Sequence, residues 1–87
     1  MLERKITIQN KLGIHARPAS LLAKEAIKFK SQCFVIKKGN KFNCKSIMSI
    51  LSMGGKQGEE VSLEILGEDE REAFESLIAL FESNFGE

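Results

Sequence analysis

Tryptophan and tyrosine are absent from these 87 residues, proline and histidine occur once each, and cysteine occurs twice. Each scarcity excludes something. Without Tyr or Trp, and with no paired aromatics in Asn40-Lys41-Phe42-Asn43-Cys44, the base-stacking platform of an RNA-binding sheet is missing, so no nucleic-acid partner is expected. One histidine and two cysteines cannot by themselves fill the four positions of a zinc site. A chain this short also has little room for a deep cofactor cavity, so neither metal nor cofactor is expected. Two cysteines make no disulfide framework and suit a reducing compartment. No apolar run approaches the ~20 residues that span a bilayer, and Met1-Leu2-Glu3-Arg4-Lys5 does not read as a signal peptide. A cytoplasmic protein without membrane insertion is expected. With no linker, repeat or low-complexity stretch, residues 1–87 are expected to form one domain.

Charge is what the chain does have, and it is unevenly laid out. The formal net is +1, yet residues 1–56 carry twelve Lys/Arg against Glu3 and Glu25, a net of +10. Residues 57–87 carry Arg71 against ten acids, a net of −9. The basic portion suits an acidic partner surface, although an acidic helix face on a lysine-coated domain leaves the same signature.

Hydrophobic spacing orders the elements. Arg4 to Gln9 alternates as a half-buried strand does. From Ala16 to about Phe29, Ala19, Leu22, Ala23 and Ala26 follow helical spacing, with Pro18 in the first turn, where a missing N–H is harmless. Cys33 to Lys37 and Asn40 to Cys44 flank Lys38-Gly39. A two-residue hairpin there sets Lys37 opposite Asn40, Val35 opposite Phe42 and Cys33 opposite Cys44. Cys33, Val35, Phe42 and Cys44 then share one face, with the thiols in the core. Ser46 opens a short helix to Met53, in which Ile50 and Met53 are better core candidates than Met48. Val61, Leu63 and Ile65 mark a fourth strand. Phe74, Leu77, Ile78, Phe81 and Phe85 form the stripe of a final helix whose first turn, Glu68 to Glu70, is acidic as the helix dipole favours. The order β-α-β-β-α-β-α predicts a two-layer α+β domain.

Chemistry concentrates where the loop holding Gly13 runs into the first helix. His15 sits at that junction, ahead of Ala16-Arg17-Pro18. The first-turn N–H groups have no partner within the helix, and the dipole end favours a neutral, nucleophilic imidazole. The same groups form an anion site onto which the Arg17 guanidinium can fork. A nucleophile beside an anion cradle is what reversible phosphoryl transfer requires. A histidine so placed can also be no more than a helix cap. Ser46 is a second helix cap, and a phosphate on it would be held by that helix's own N-terminus. Gly55-Lys56-Gln57-Gly58 matches a four-residue RNA-binding pattern but lies between a helix and a strand, where a turn is the plainer reading. It also lacks the glycine spacing and the Ser/Thr of a P-loop.

Gly13-Ile14-His15-Ala16-Arg17-Pro18-Ala19 resembles the active-site signature of the HPr family, the histidine-containing phosphocarriers of the phosphotransferase system. Lys45-Ser46-Ile47-Met48 resembles that family's regulatory motif at matching separation, and length, element order and the Lys38-Gly39 hairpin agree. The resemblance implies an open-faced sandwich of four antiparallel strands, in the order first, fourth, second, third, with three helices on one face. It implies a carrier and substrate of enzymes, not a freestanding enzyme. His15 would accept a phosphoryl group on Nδ1 from enzyme I, with phosphoenolpyruvate as its source, and pass it to enzyme IIA domains. Arg17 and the Ala16 N–H would contact the phosphate.

The resemblance further implies that Ser46 is phosphorylated with ATP by HPr kinase/phosphorylase and that a transcriptional regulator reads that state. Ser20, Lys24, Lys45, Ile47, Met48 and Leu51 are expected to form the docking face of a monomer. Leu12, Ser49 and Cys44 depart from the usual small polar, glycine and aliphatic residues. The ending from Ala79 to Phe85 is similar to nitrogen-branch relatives. A purely regulatory protein controlled at Ser46, or a nitrogen-branch carrier, is the alternative reading.

Overall fold

The computed structural model describes all 87 residues, Met1–Glu87. Strands β1 (Leu2–Thr7), β2 (Gln32–Lys37), β3 (Asn40–Asn43) and β4 (Glu60–Leu66) alternate with helices α1 (Ala16–Ala26), α2 (Ile47–Met53) and α3 (Glu70–Glu82), and a 3-10 turn follows at Asn84–Gly86. The sheet order is β1-β4-β2-β3 with every neighbouring pair antiparallel. Period-two burial shows which face is covered. In β4, Val61, Leu63 and Ile65 are buried while Glu60, Ser62, Glu64 and Leu66 are not. The buried strand residues join Leu22 and Ala26 of α1, Ile50 and Met53 of α2, and Leu77, Ile78 and Phe81 of α3 in one core. The result is the two-layer α+β domain that the element order predicts, built as the open-faced sandwich that the family resemblance implies.

The β2–β3 hairpin has the expected register, with Lys37 opposite Asn40 and Val35 opposite Phe42. Lys38 and Gly39 both take positive φ, 51° and 82°, as the right-handed twist of a two-residue hairpin demands. One step beyond the ladder, the Cys44 N–H donates to the Cys33 carbonyl at 2.9 Å. Both thiols are free and buried. Burial pushes both above the ordinary thiol range, Cys44 farthest, so neither is poised as a nucleophile.

Several details differ from the spacing argument, and the first strand runs over Leu2–Thr7 rather than Arg4 to Gln9. Helix α1 ends at Ala26, not near Phe29. The Lys28 and Phe29 N–H groups tighten to i−3 carbonyls, and the Lys45 ammonium takes the Phe29 carbonyl at 2.7 Å. Phe85 does not extend the stripe of α3. The helix stops at Glu82, and Asn84 and Phe85 turn left-handed at φ 55° each. Phe85 nevertheless returns to the core and packs edge-on to Phe81, with ring centroids 4.9 Å apart. Asp69, expected in the acidic first turn, sits just before α3 and does not cap it. Its carboxylate instead accepts from the Lys30 and Ser31 N–H groups at 2.9 Å each and from the Ser31 hydroxyl. Those bonds, the Ser31 hydroxyl first, pull its carboxyl down to about 2.

Candidate functional site

The loop before α1 is held from inside. Asn10, 5% exposed, donates its side-chain amide to the Gly13 carbonyl, while the Gly13 N–H donates back to the Asn10 carbonyl at 3.0 Å. Gly13 takes φ +67°, and the Ile14 N–H bonds to the Gly55 carbonyl at 2.9 Å. The loop therefore sits on the glycine-rich turn after α2. That turn is tied to the end of β1 by Gly58 N–H to Ile8 carbonyl and by the Gln57 amide to the Gln9 carbonyl.

This support delivers His15 in extended conformation as the residue preceding α1, with its carbonyl accepting the Ala19 N–H at 3.0 Å. Its side chain makes no capping bond. The imidazole is thus not spent on the helix end, which separates it from an ordinary cap. The N–H groups of Ala16 and Arg17 donate to no protein acceptor, and Pro18 has no N–H to offer. Ala16 and Arg17 are both exposed. Imidazole, two N–H groups without a protein acceptor and the helix dipole meet at one exposed helix start, and Arg17 is near enough to Glu87 to help lower its carboxyl.

One partner escapes the sequence reading. His15 Nε2 lies 2.7 Å from the Glu87 carboxylate, whose other oxygen accepts from the Asn10 amide at 3.0 Å. The Asn10 bond, then His15 and Arg17, hold the Glu87 carboxyl below the usual glutamate range. Seventy-two positions separate Glu87 from His15, and no periodicity joins them. The nearest signal is Phe85, whose burial brings the following residues back to the site. A cleft of about 610 Å³ beside it is lined by Lys11, Leu12, Arg17, Gln57, Asn84 and Glu87.

Ser46 is the N-cap of α2. Its hydroxyl accepts the Ser49 N–H at 3.1 Å, and the Ser49 hydroxyl accepts the Asn43 N–H at 2.9 Å. The serine at position 49 thereby ties the end of β3 to the helix. Between α1 and α2 a second cleft, about 420 Å³, gathers Ser20, Lys24, Lys45, Ser46, Ile47 and Met48. Leu51 is outside that lining but exposed on the same helix, and Met48 is 75% exposed. Ile27, also exposed in this cleft, was not anticipated, because it falls off the buried stripe of α1. Lys45 is half-buried with its ammonium tethered to Phe29, so it staples the end of α1 as well as lining the cleft.

No helix is long and apolar enough to cross a membrane. The family described as PTS HPr component phosphorylation site matches residues 2–83. The phosphocarrier protein HPr of Xylella fastidiosa (strain Temecula1) is 41% identical over 87 residues, covering all of this chain and 98% of that one. The HPr-like protein Crh of Bacillus subtilis (strain 168) is 46% identical over 79 residues, 91% of this chain and 93% of its own. The crystal structure of HPr-C-His from Thermoanaerobacter tengcongensis superposes with a TM-score of 0.95 at 52% identity, covering all of this chain and 98% of that one.

Proposed function

Because the chain belongs to the HPr family of phosphotransferase-system phosphocarriers, we propose that His15 is the atom-bearing centre of its relay. It takes a phosphoryl group from enzyme I charged by phosphoenolpyruvate and gives it to enzyme IIA domains. One observation carries this reading: the His15 side chain leaves the helix end uncapped, beside the free Ala16 and Arg17 N–H groups. An imidazole that capped α1 would spend itself on the helix end; here Nε2 meets Glu87 and the other ring nitrogen can attack. The arriving phosphoryl oxygens meet those N–H groups and the Arg17 guanidinium, which stabilise the charge brought in. The protein itself is a phosphocarrier, not a catalytic enzyme.

Docking is assigned to the cleft between α1 and α2. Ile47, Met48 and Leu51 supply an apolar contact and Ser20, Lys24 and Lys45 a polar, cationic edge, a combination suited to brief binding of acidic partners. We assign Ser46 as the site of ATP-dependent phosphorylation by HPr kinase/phosphorylase, with a transcriptional regulator as reader of that state. The whole chain, residues 1–87, acts as one domain, in the cytoplasm and as a monomer. A second reading is a regulator acting through Ser46 alone, with which the similarity to the HPr-like protein Crh is compatible, or a nitrogen-branch carrier, which rests on the ending from Ala79 to Phe85.

Intact-mass spectrometry after incubation with phosphoenolpyruvate, magnesium and enzyme I tests the relay. The expected result is one acid-labile phosphate on the wild type and none on His15→Ala. An acid-stable phosphate that forms only with ATP and HPr kinase, and no transfer from enzyme I, would favour the Ser46 regulator.

A further inference from the structure

We propose that Asn10 and Glu87 form a relay that keeps the His15 proton on Nε2 and so presents Nδ1 as the attacking atom. The proposal rests on reading His15 as the phosphoryl acceptor.

An ionised carboxylate can only accept hydrogen bonds. Glu87 is kept in that form by Asn10, His15 and Arg17, and one of its oxygens lies 2.7 Å from His15 Nε2. Nε2 must therefore donate. A neutral imidazole carries a single ring proton, which leaves the lone pair on Nδ1. The carboxylate is itself aimed. Its second oxygen accepts from Asn10 at 3.0 Å, and the same buried amide nitrogen donates to the Gly13 carbonyl. Burial of Phe85 and the Glu87 N–H bond to the Asn84 carbonyl fix the segment that carries Glu87. Ring orientation thus traces back to the core of the active-site loop, as a carboxylate–histidine pair orients imidazoles elsewhere.

The arrangement serves both directions of transfer. On charging, the Nδ1 lone pair forms the N–P bond while the donor's bond to phosphorus breaks and its electron pair stays with the donor. The Nε2 proton does not move. The ring becomes a phosphoimidazolium whose positive charge faces Glu87, on the edge away from the phosphoryl group. On discharge, the N–P electron pair returns to Nδ1 and the ring departs as neutral imidazole. Loss of the Nε2 proton would turn the leaving group into an imidazolate and stall that step. Glu87 is a positioning residue: it touches the imidazole, not the phosphoryl group.

The test is ¹⁵N NMR of the imidazole in the full chain at about pH 8.5, where an ordinary histidine is neutral, together with the charging rate by enzyme I. The wild type is expected to show an unprotonated Nδ1 and a protonated Nε2. In Glu87→Ala and Glu87→Gln both nitrogens should move toward the average of two exchanging tautomers. The maximal charging rate should fall about tenfold, with little change in the half-saturating concentration. Asn10→Ala should move the nitrogens the same way but could loosen the loop, so the surface Glu87 variants decide. A wild type protonated on Nδ1, or nitrogen shifts or a charging rate unchanged in Glu87→Ala, overturns the relay. A wild type that takes no phosphoryl group at all from charged enzyme I overturns the acceptor reading instead, and the relay with it.

Discussion

Gly13 and Gly55 approach so closely that a Cβ on Gly13 would lie 2.1 Å from the Gly55 carbonyl oxygen. That carbonyl also receives the Ile14 N–H, so the contact is where the loop that carries His15 is seated. Gly13 in addition holds φ +67°, which disfavours any side chain.

Gly13→Ala should therefore unseat the loop. Destabilisation of at least about 2 kcal/mol is expected from strain plus the forced shift, with charging by enzyme I down more than tenfold because His15 follows two residues later. Gly39→Ala separates the two causes. Its φ is +82°, yet a Cβ there meets nothing within 4 Å. It should cost about 1 kcal/mol of backbone strain and leave charging unchanged. Urea unfolding and a charging assay on both variants check the pair.

Ser46 caps α2 through the Ser49 N–H. Ser46→Ala should lose about 1 kcal/mol of stability in urea. Ser46→Asp keeps a capping oxygen and adds a charge that the helix N-terminus favours, so its stability should stay within a few tenths of a kcal/mol of the wild type. Charging by enzyme I should nevertheless slow in the Asp variant, because the new charge sits in the cleft proposed for acidic partners. An Asp variant charged at the wild-type rate would remove that cleft from the docking surface.

Asp69 joins the start of β2 to the start of α3, and its carboxyl is depressed from 3.8 to about 2 by the Ser31 and Lys30 bonds. A depressed folded value means that the ionised form is favoured by folding. This contribution is complete above the unfolded value near 4 and is lost as pH falls toward 2. Thermal melts of the wild type should decline over that window. Asp69→Asn, which cannot ionise, should melt lower at neutral pH and show a weaker decline over the same range. Parallel wild-type and variant curves would show that other carboxylates dominate the acid limb.

The fold was legible because its signals are short-range. Two-residue alternation placed β4, the Lys38-Gly39 turn set the hairpin register, and the Ser46 cap opened α2. The departures came from long-range contacts. Asp69 looked like a first-turn acid because the sequence cannot show that Ser31, 38 positions earlier, would claim its carboxylate. Phe85 continued the α3 stripe by spacing, yet two left-handed residues break the helix and still bury the ring. At the site, the motif from Gly13 to Ala19 was visible as local chemistry, since loop, helix start, histidine and arginine are contiguous. Glu87 was invisible because its place depends on how α3 and the turn after it pack.

Met48 and Ile50, two residues apart on α2, should separate docking from folding. Met48 is 75% exposed and lines the cleft between α1 and α2, whereas Ile50 is fully buried among the core residues. Met48→Ala removes no core contact, so the melting temperature should change little. If this cleft receives enzyme I, the half-saturating concentration for charging should rise severalfold while the maximal rate holds, since loss of binding alone acts in that way. Ile50→Ala leaves a cavity and should cost about 2–5 kcal/mol. Charging, measured where that variant is still folded, should remain near the wild type, because the side chain never reaches a partner. Equal effects of the two variants on half-saturation would place the docking surface elsewhere, and the cleft around Ser46 would then need another occupant.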